Sequence, residues 1–238
     1  MRIGIFDSGI GGLTVLKQLI KENKKAEYIY YADTKNLPYG EKSTEELITI
    51  GSHIIKFFEE KNVDIIIIAC GTCSSLIDEY KKITNIKILD VITSTISFIK
   101  EKYKNVALLA TKATINKGIF QEKLESKGIN VKAISCPTFV PYIEGLTTNK
   151  PNYIPLITLK EEGVEAIILG CTHYPYLKEE IEQASNLSTI EMGINILDEV
   201  ECVDQTTEIK IYVSKYINSI EERITSMLGE VEINYLEN

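Results

Sequence analysis

Two short apolar runs in the chain have nearly the same pattern and end in the same way. One covers residues 63–72, VDIIIIACGT, and the other covers residues 164–173, VEAIILGCTH. Continuous β-branched runs of this length are typical of strands buried on both faces, as in parallel sheets. Each run carries a cysteine, Cys70 or Cys171, at the carboxyl end of its strand, where open α/β sheets bind ligands. The repeat therefore predicts two thiols, one from each half of the chain, facing one bound molecule.

The rest of the chain alternates between strand and helix patterns. Strands are predicted at 2–6, 28–32, 87–91, 106–110 and 129–134, and Ser43 with Glu46 forms a capping box that begins a helix. Further helices are predicted at 94–102, near 155–162 and at 176–184, with another that ends at Lys127 before Gly128. This alternation predicts parallel sheets with right-handed crossovers.

The repeat and the alternation together predict an α/β protein with two similar parallel-sheet domains related by pseudo-symmetry. We expect residues 1–92 plus 207–238 to form the first domain and residues 93–206 to form the second. The tail shows strand patterns at 208–213 and 230–236 around a helix at 219–228, and we expect it to pack on the first domain. The active site is expected in the cleft between the domains.

Composition narrows the class of protein. The 238 residues are 44% apolar, which is enough for a buried core, and no apolar stretch approaches the roughly 18 to 20 residues that span a bilayer. The net charge is −8, without a basic cluster, so nucleic-acid binding and a membrane partner are not expected. Five cysteines, an odd count, argue against a disulfide framework and indicate a cytoplasmic protein with free thiols.

A glycine-rich segment directly follows the first predicted strand. Its sequence from Asp7 to Gly12 is DSGIGG, which predicts a tight turn and a close backbone approach to an anion. The dinucleotide fingerprint fails because Thr14 stands where the third glycine is needed. The alternative is an ordinary turn in which Asp7 or Ser8 caps the next helix. Asp7 also has a carboxylate at a strand end, where it can orient or accept from an amine.

The cysteines allow three further interpretations. Cys70 and Cys73 form a C-x-x-C pair, which can mark a thioredoxin-like redox site. Cys70, Cys73, Cys171 and His173 could bind zinc, although their spacing is not that of a zinc finger. Either matched cysteine could also be a small buried apolar residue. All three are disfavoured because none explains two matched cysteines that are each followed by a threonine.

Two residues near Cys171 are candidates for proton transfer. His173 follows it by two positions and can lie beside the thiol to relay or hold a proton. Glu144 is a candidate for orienting that histidine, with an ordinary solvated glutamate as the alternative. The other histidine, His53, is interpreted as a helix surface or packing residue. A thiol with a pKa near ~8.5 must be made more acidic or desolvated to act as a base, and we expect Asp7 or His173 to assist.

Five motifs resemble those of the glutamate racemase family, within the cofactor-independent aspartate/glutamate racemase superfamily. They occur in order between residues 5 and 176, and the last is highly specific. The motifs are DSGIGG from Asp7, PYG from Pro38, ACGT from Ala69, CPTFVP from Cys136 and GCTHYP from Gly170.

This resemblance implies an amino-acid racemase that uses a thiolate base and a thiol acid on opposite faces of the α-carbon. It assigns deprotonation of D-glutamate to Cys70 and of L-glutamate to Cys171, with Asp7 and His173 assisting the thiols. It further implies no cofactor or metal, a homodimer, and D-glutamate supply for peptidoglycan. The positions that match substrate-binding residues are Asp7, Ser8, Tyr39, Gly40, Gly71, Thr72, Thr114, Thr172 and His173.

One departure from the family pattern concerns the substrate. Family members usually have an asparagine where this chain has Gly71, and that asparagine helps to bind the substrate. Loss of its donor could cost on the order of 1 to 3 kcal/mol of binding. Two alternatives to glutamate racemisation therefore remain: a racemase of another amino or hydroxy acid, such as aspartate, and a ligand-binding homologue without catalysis.

Overall fold

The fold is described by a computed structural model that covers residues 1–22, 25–200, 206–218 and 220–237, without the side chain of Leu197. The elements up to residue 90 are β1 (Arg2–Asp7), α1 (Leu13–Lys21), β2 (Glu27–Ala32), α2 (Thr44–Glu60), β3 (Ile65–Ile68), α3 (Gly71–Ser74), α4 (Ile77–Tyr80) and β4 (Lys87–Asp90). The next are α5 (Val91–Ile99), β5 (Asn105–Ala110), α6 (Lys112–Lys117), α7 (Ile119–Glu125), β6 (Asn130–Ser135), α8 (Phe139–Ile143), β7 (Ala166–Leu169), α9 (Lys178–Ser185) and β8 (Thr189–Glu191). The tail contributes β9 (Glu208–Val213), α10 (Ile220–Leu228) and β10 (Glu232–Tyr235).

Two sheets organise the described residues. The first has the strand order β10-β9-β2-β1-β3-β4, and the second has the order β6-β5-β7-β8. Their strand pairs are parallel, as predicted. The second order repeats the β2-β1-β3-β4 part of the first, strand for strand, so the two-domain α/β prediction is confirmed. The tail extends the first sheet through pairing of β9 with β2, also as predicted. Ser219, where the tail helix was predicted to begin, lies outside the described residues.

The two matched runs form the strands that carry the cysteines. All side chains of β3 and β7 are buried. Alternate residues point to opposite faces: Ile67 and Ile168 belong to one apolar cluster shared by both sheets, whereas Ile66 and Ile167 face separate outer clusters. The shared cluster joins the domains, and burial of each large apolar side chain contributes about 1.5 to 3 kcal/mol.

Helix boundaries follow local capping chemistry. At the start of α2 the predicted capping box is present: Glu46 N–H donates to Ser43 Oγ at 3.2 Å, and Ser43 N–H donates to Glu46 Oε2 at 2.7 Å. The helix predicted from residue 94 begins earlier, at Val91, because Asp90 Oδ1 accepts the N–H groups of Ile92 and Thr93.

Two helix predictions were wrong. The helix predicted to end at Lys127 is two helices, because Gly118 adopts φ 71° between α6 and α7. The helix predicted near 155–162 is a single 3₁₀ turn at Ile154–Leu156. Ile154 is 73% exposed and Ile157 is 60% exposed, but Leu156 and Leu159 are buried, so the apolar spacing marked core-facing side chains without a regular helix. The short strand β8 was not predicted.

Among the described residues, none of the helices has both the length and the apolarity that a membrane crossing requires.

Candidate active site

The two matched cysteines face one cavity between the domains. Cys70 follows β3 and precedes α3, and Cys171 follows β7 in the same way. Both are buried, with 5% and 7% of their surface exposed, and both line a cavity of about 580 Å³. Predicted residues that share this wall are Ser8, Tyr39, Gly40, Thr72, Thr172 and His173. The cleft expected from the repeat is therefore present, with a thiol from each half.

His173 and Glu144 form a buried chain behind Cys171. His173 Nδ1 lies 3.7 Å from Cys171 Sγ, and His173 Nε2 lies 2.6 Å from Glu144 Oε1. Glu144 is therefore not a solvated surface residue: its side chain is 1% exposed. Burial alone would lower the pKa of His173, but the hydrogen bonds to Cys171 and Glu144 hold it well above the usual value. The imidazole is thus suited to hold a proton next to the thiol.

The Cys171 thiol responds to two opposing influences. Burial raises the pKa of Cys171, because a thiolate is poorly solvated in the cavity wall. His173 acts in the opposite direction, through its hydrogen bond and its charge. The protonation states of the two groups are therefore linked, and the pair titrates as a unit.

Cys70 is made more acidic by a different set of contacts. The Cys73 thiol donates a hydrogen bond to it and lowers its pKa, and the backbone N–H groups of Cys73 and Thr72 act in the same direction. Burial and the Asp7 carboxylate oppose this decrease. A carboxylate disfavours a second negative charge nearby, so Asp7 does not lower the pKa of Cys70, and its role in assisting a thiol stays a prediction.

Two hydrogen bonds between the domains follow the pseudo-symmetry. Thr172, after the second cysteine, donates through Oγ1 to Asp7 Oδ2 at 2.8 Å, at the end of β1. Thr72 makes the corresponding contact with Thr111, just after β5, with the two hydroxyl oxygens 3.2 Å apart. Each threonine thus joins its own cysteine segment to the first strand of the opposite domain. Asp7 is fully buried, and its other oxygen accepts the Gly9 N–H at 2.9 Å.

Two predicted substrate-binding residues lie behind the cavity wall. Thr114 is fully buried, with its hydroxyl 3.4 Å from that of Thr72. Gly71 faces the opposite domain, where a Cβ would lie 2.7 Å from the carbonyl oxygen of Gly170 and 2.8 Å from Met192 Cε. Asp7 and Glu144 likewise contact residues of the wall rather than forming it themselves.

The glycine-rich turn allows the second domain to approach closely. A Cβ on Gly11 would lie 2.5 Å from His173 Nδ1 and 2.9 Å from Thr172 Oγ1. One on Gly12 would lie 2.7 Å from Ala69 Cβ. Neither glycine has a positive φ. The close approach anticipated for these glycines is therefore present, but its partners at Gly11 are side chains of the opposite domain.

The structure also bears on the alternative interpretations of the cysteines and of His53. Cys70, Cys73, Cys136 and Cys171 are free thiols, and Cys202 lies outside the described residues. Within the described ranges, no three His, Cys, Asp or Glu side chains are grouped so that they could hold a metal ion. His53 is exposed on α2, as predicted.

Sequence reasoning overlooked three contributors to the site. Thr111 carried a usable signal, because it caps α6 and lies three residues before Thr114, a predicted substrate-binding position. Cys73 was noticed only as half of a C-x-x-C pair and as a possible zinc ligand, and not as a hydrogen-bond donor to Cys70. Arg223 carried no signal at all: it contacts Glu144 from 79 residues away.

Comparison with known proteins identifies the scaffold. A model of the Asp/Glu/Hydantoin racemase family matches residues 3–205. The chain belongs to this family. It is an isomerase of the racemase class, consistent with paired acid/base groups on one cavity.

Individual members of the racemase family match over most of the chain. A glutamate racemase of Aquifex pyrophilus is 36% identical over 225 residues, which cover 91% of this chain and 84% of that protein. The solved structure of a glutamate racemase from Aquifex pyrophilus has a TM-score of 0.82 at 32% identity, covering 98% of each chain. Glutamate racemase from Francisella tularensis, solved in complex with D-glutamate, has a TM-score of 0.83 at 28% identity and covers 98% of this chain and 95% of that one.

Proposed function

We propose that this chain interconverts L- and D-glutamate without a cofactor, by proton transfer between two thiols on opposite sides of one bound molecule. The observation that carries the proposal is the placement of Cys70 and Cys171, from different domains, on a single cavity. Its volume, about 580 Å³, is within the range typical of small-molecule sites. The choice of glutamate is supported by relatives of that name that match most of the chain.

The proposed reaction begins with Cys171 as a thiolate and Cys70 as a thiol. Cys171 removes the α-proton of L-glutamate, and the electron pair of the C–H bond stays on the α-carbon. Cys70 then donates its proton to the opposite face, which produces D-glutamate and leaves Cys70 as the thiolate. The reverse reaction starts from that state, so each thiol is a base in one direction and an acid in the other.

The surroundings of the thiols fit these roles. His173 can hold a proton beside Cys171, and Cys73 with nearby backbone N–H groups favours the thiolate of Cys70. Both thiols are buried, and a bound substrate would displace water from the cavity, which strengthens these interactions as charge develops on the α-carbon.

Polar groups around the cavity fit a dicarboxylate. Hydroxyl groups of Ser8, Thr72 and Thr172 line it, and so do the amino-bearing residues Lys42 and Lys112. These side chains provide hydrogen-bond donors and positive charge for two carboxylate groups, despite the net charge of −8 of the whole chain. In this proposal Tyr39 and Gly40 complete the substrate-binding set, and Thr114 supports the Thr72 hydroxyl from behind the cavity wall.

Incubation with L-glutamate in heavy water tests the reaction. We expect D-glutamate to appear and deuterium to accumulate at the α-carbon of the product, because the donated proton comes from a thiol that exchanges with solvent. Chiral chromatography with mass spectrometry measures both. Aspartate and other amino acids run in parallel decide between glutamate and the alternative substrates. A folded protein that leaves every substrate unchanged would favour a ligand-binding homologue without catalysis.

Restoring the family asparagine is expected to harm this chain. In Gly71→Asn the new Cβ conflicts with the Gly170 carbonyl and with Met192, so the domains must shift. We expect a loss of about 1 to 3 kcal/mol in the free energy of unfolding and no decrease in KM for glutamate. Gly71→Ala is the matched control, because it adds the same Cβ without the amide. A Gly71→Asn variant that is as stable as wild type and binds glutamate more tightly would contradict this expectation.

The cellular setting follows from the proposed reaction. D-glutamate produced here would supply peptidoglycan synthesis, and we propose a cytoplasmic homodimer, as the family resemblance implies. Light scattering of the purified protein measures the oligomeric state.

A further inference from the structure

The C-terminal helix α10 contacts the domain that carries Cys171. Arg223 and Met227, one turn apart on this helix, reach segments on either side of His173: Arg223 contacts the end of α8, and Met227 contacts Tyr176. Because α10 connects β9 and β10 of the first sheet, these contacts link the tail of one domain to the proton-holding group of the other.

Arg223 holds the Glu144 segment with two hydrogen bonds. Its Nη1 donates to Glu144 Oε2 at 2.8 Å, and its Nη2 donates to the backbone oxygen of Ile143 at 2.8 Å. The other carboxylate oxygen, Oε1, is paired with His173. Each oxygen of Glu144 therefore has its own partner, and the planar guanidinium fixes the orientation of the carboxylate.

Because Glu144 is buried, its ionisation depends on the charge of Arg223. The Glu144 side chain is 1% exposed, whereas that of Arg223 is 27% exposed. Burial alone would raise the pKa of Glu144, but His173 and Arg223 bring it below its usual value. A buried carboxylate that loses a cationic partner is strongly destabilised, so Arg223 helps to keep Glu144 ionised opposite His173.

We propose that Arg223 is a positioning residue for Cys171: through Glu144 it fixes His173 against the Cys171 sulfur, so the tail helix of one domain completes the acid/base group of the other. This inference rests on the proposed function for its kinetic consequences. Its electrostatic consequences are independent of the substrate.

The direction of the expected pH effect follows from the sign of the charge. Removing a positive charge favours the protonated state of every titratable group nearby, so the pKa values of the linked Cys171 and His173 pair rise. The pH profile should therefore move to higher pH. Other titratable groups close to Cys171, His173 or Glu144 that are unchanged in these variants are Tyr30, Cys70, Cys136, Tyr174, Tyr176 and Asp7.

Two substitutions separate charge from geometry. Arg223→Gln removes the charge but keeps a hydrogen-bond donor, and Arg223→Lys keeps the charge but cannot form both hydrogen bonds. We expect Arg223→Gln to lower kcat/KM about 10- to 100-fold and to shift its pH profile upward, since small displacements of acid/base groups have effects of this size. Arg223→Lys should lower kcat/KM less and leave the profile in place. The matched control is Arg2→Gln. Arg2 lies at the start of β1, away from the end that carries Asp7, and it pairs with Glu27 of β2.

Alkylation of Cys171 supplies a readout that needs no substrate. Iodoacetamide reacts with the thiolate, so mass spectrometry of the Cys171 peptide across a pH series follows its ionisation. We expect the alkylation curve to move to higher pH in Arg223→Gln and to stay unchanged in Arg223→Lys and Arg2→Gln. An unchanged curve and unchanged kcat/KM in Arg223→Gln would overturn the inference. If the wild-type protein fails to racemise glutamate while Arg223→Gln still shows the shifted alkylation curve, the proposed function alone is overturned.

A double-mutant cycle with Glu144→Gln tests the route of the effect. If Arg223 acts through Glu144, adding Arg223→Gln to Glu144→Gln should lower kcat/KM by less than about threefold further. A full additional loss of 10-fold or more would show that Arg223 acts by another route and would contradict the positioning role.

Discussion

Replacing either Cys70 or Cys171 by serine is expected to lower racemisation of glutamate by about 10² to 10⁴-fold in both directions, the range typical of losing a general acid or base. The rate should fall equally in both directions because each turnover uses one sulfur as the base and the other as the acid. A serine hydroxyl has nearly the same size as a thiol but is far less acidic. Chiral assays started from each pure enantiomer measure the loss.

Proton exchange without inversion distinguishes the two thiols. With Cys70→Ser, Cys171 can still remove and return the α-proton of L-glutamate, so deuterium from heavy water should enter L-glutamate and not D-glutamate. With Cys171→Ser the selectivity should be reversed. Nuclear magnetic resonance of each recovered enantiomer reports the exchange. Equal exchange of both enantiomers in either variant would show that one thiol can reach both faces of the α-carbon.

Cys136→Ser is the matched control for these substitutions. Cys136 also lines the cavity and is buried, but its thiol donates to the backbone oxygen of Ile134 at 3.7 Å. Burial raises the pKa of Cys136 to about 12, so it is a poor base near neutral pH. We expect this variant to keep activity within about tenfold of wild type, below the range for a lost acid or base. A loss as large as that of Cys171→Ser would mean that any cysteine-to-serine change in the wall disrupts the cavity.

Gly11→Ala is expected to reduce kcat/KM by about 10²-fold, because displacements of about 1 Å at a catalytic group can have effects of this size. The added Cβ would lie 2.5 Å from His173 Nδ1, the atom that faces Cys171. His173 must then move, or the first domain must withdraw from the second. Steady-state kinetics measured on protein of verified thermal stability tests this expectation.

The control for Gly11→Ala is a glycine whose replacement strains the backbone without touching the site. Gly163 has φ 83°, and a Cβ there would have no atom within 4 Å. Gly163→Ala is expected to cost about 1 to 2 kcal/mol of stability and to leave kcat/KM unchanged. If Gly11→Ala keeps wild-type kcat/KM, the close contact with His173 does not position that residue for catalysis.

Local sequence patterns were sufficient for every described strand except the short β8, and for one part of the site. The apolar runs around Cys70 and Cys171 identified two buried strands, and the capping box at Ser43 identified the start of α2. The same patterns failed over residues 155–162, where Leu156 and Leu159 are buried but the backbone forms only a 3₁₀ turn at Ile154–Leu156. Periodicity reports which side chains share a buried face, but it does not decide whether the backbone between them is a regular helix.

The amino-acid sequence was enough to establish the repeated strand-cysteine-threonine unit, and therefore two α/β halves with a thiol at the ligand-binding edge of each. The surroundings of those thiols are visible only in the folded chain. Asp7 disfavours the Cys70 thiolate and binds Thr172, Gly71 faces a backbone carbonyl, and Arg223 holds Glu144 from 79 residues away. The physical reason is that the pKa of a buried group depends on burial and on charges within a few ångströms, which folding brings together from distant parts of the chain.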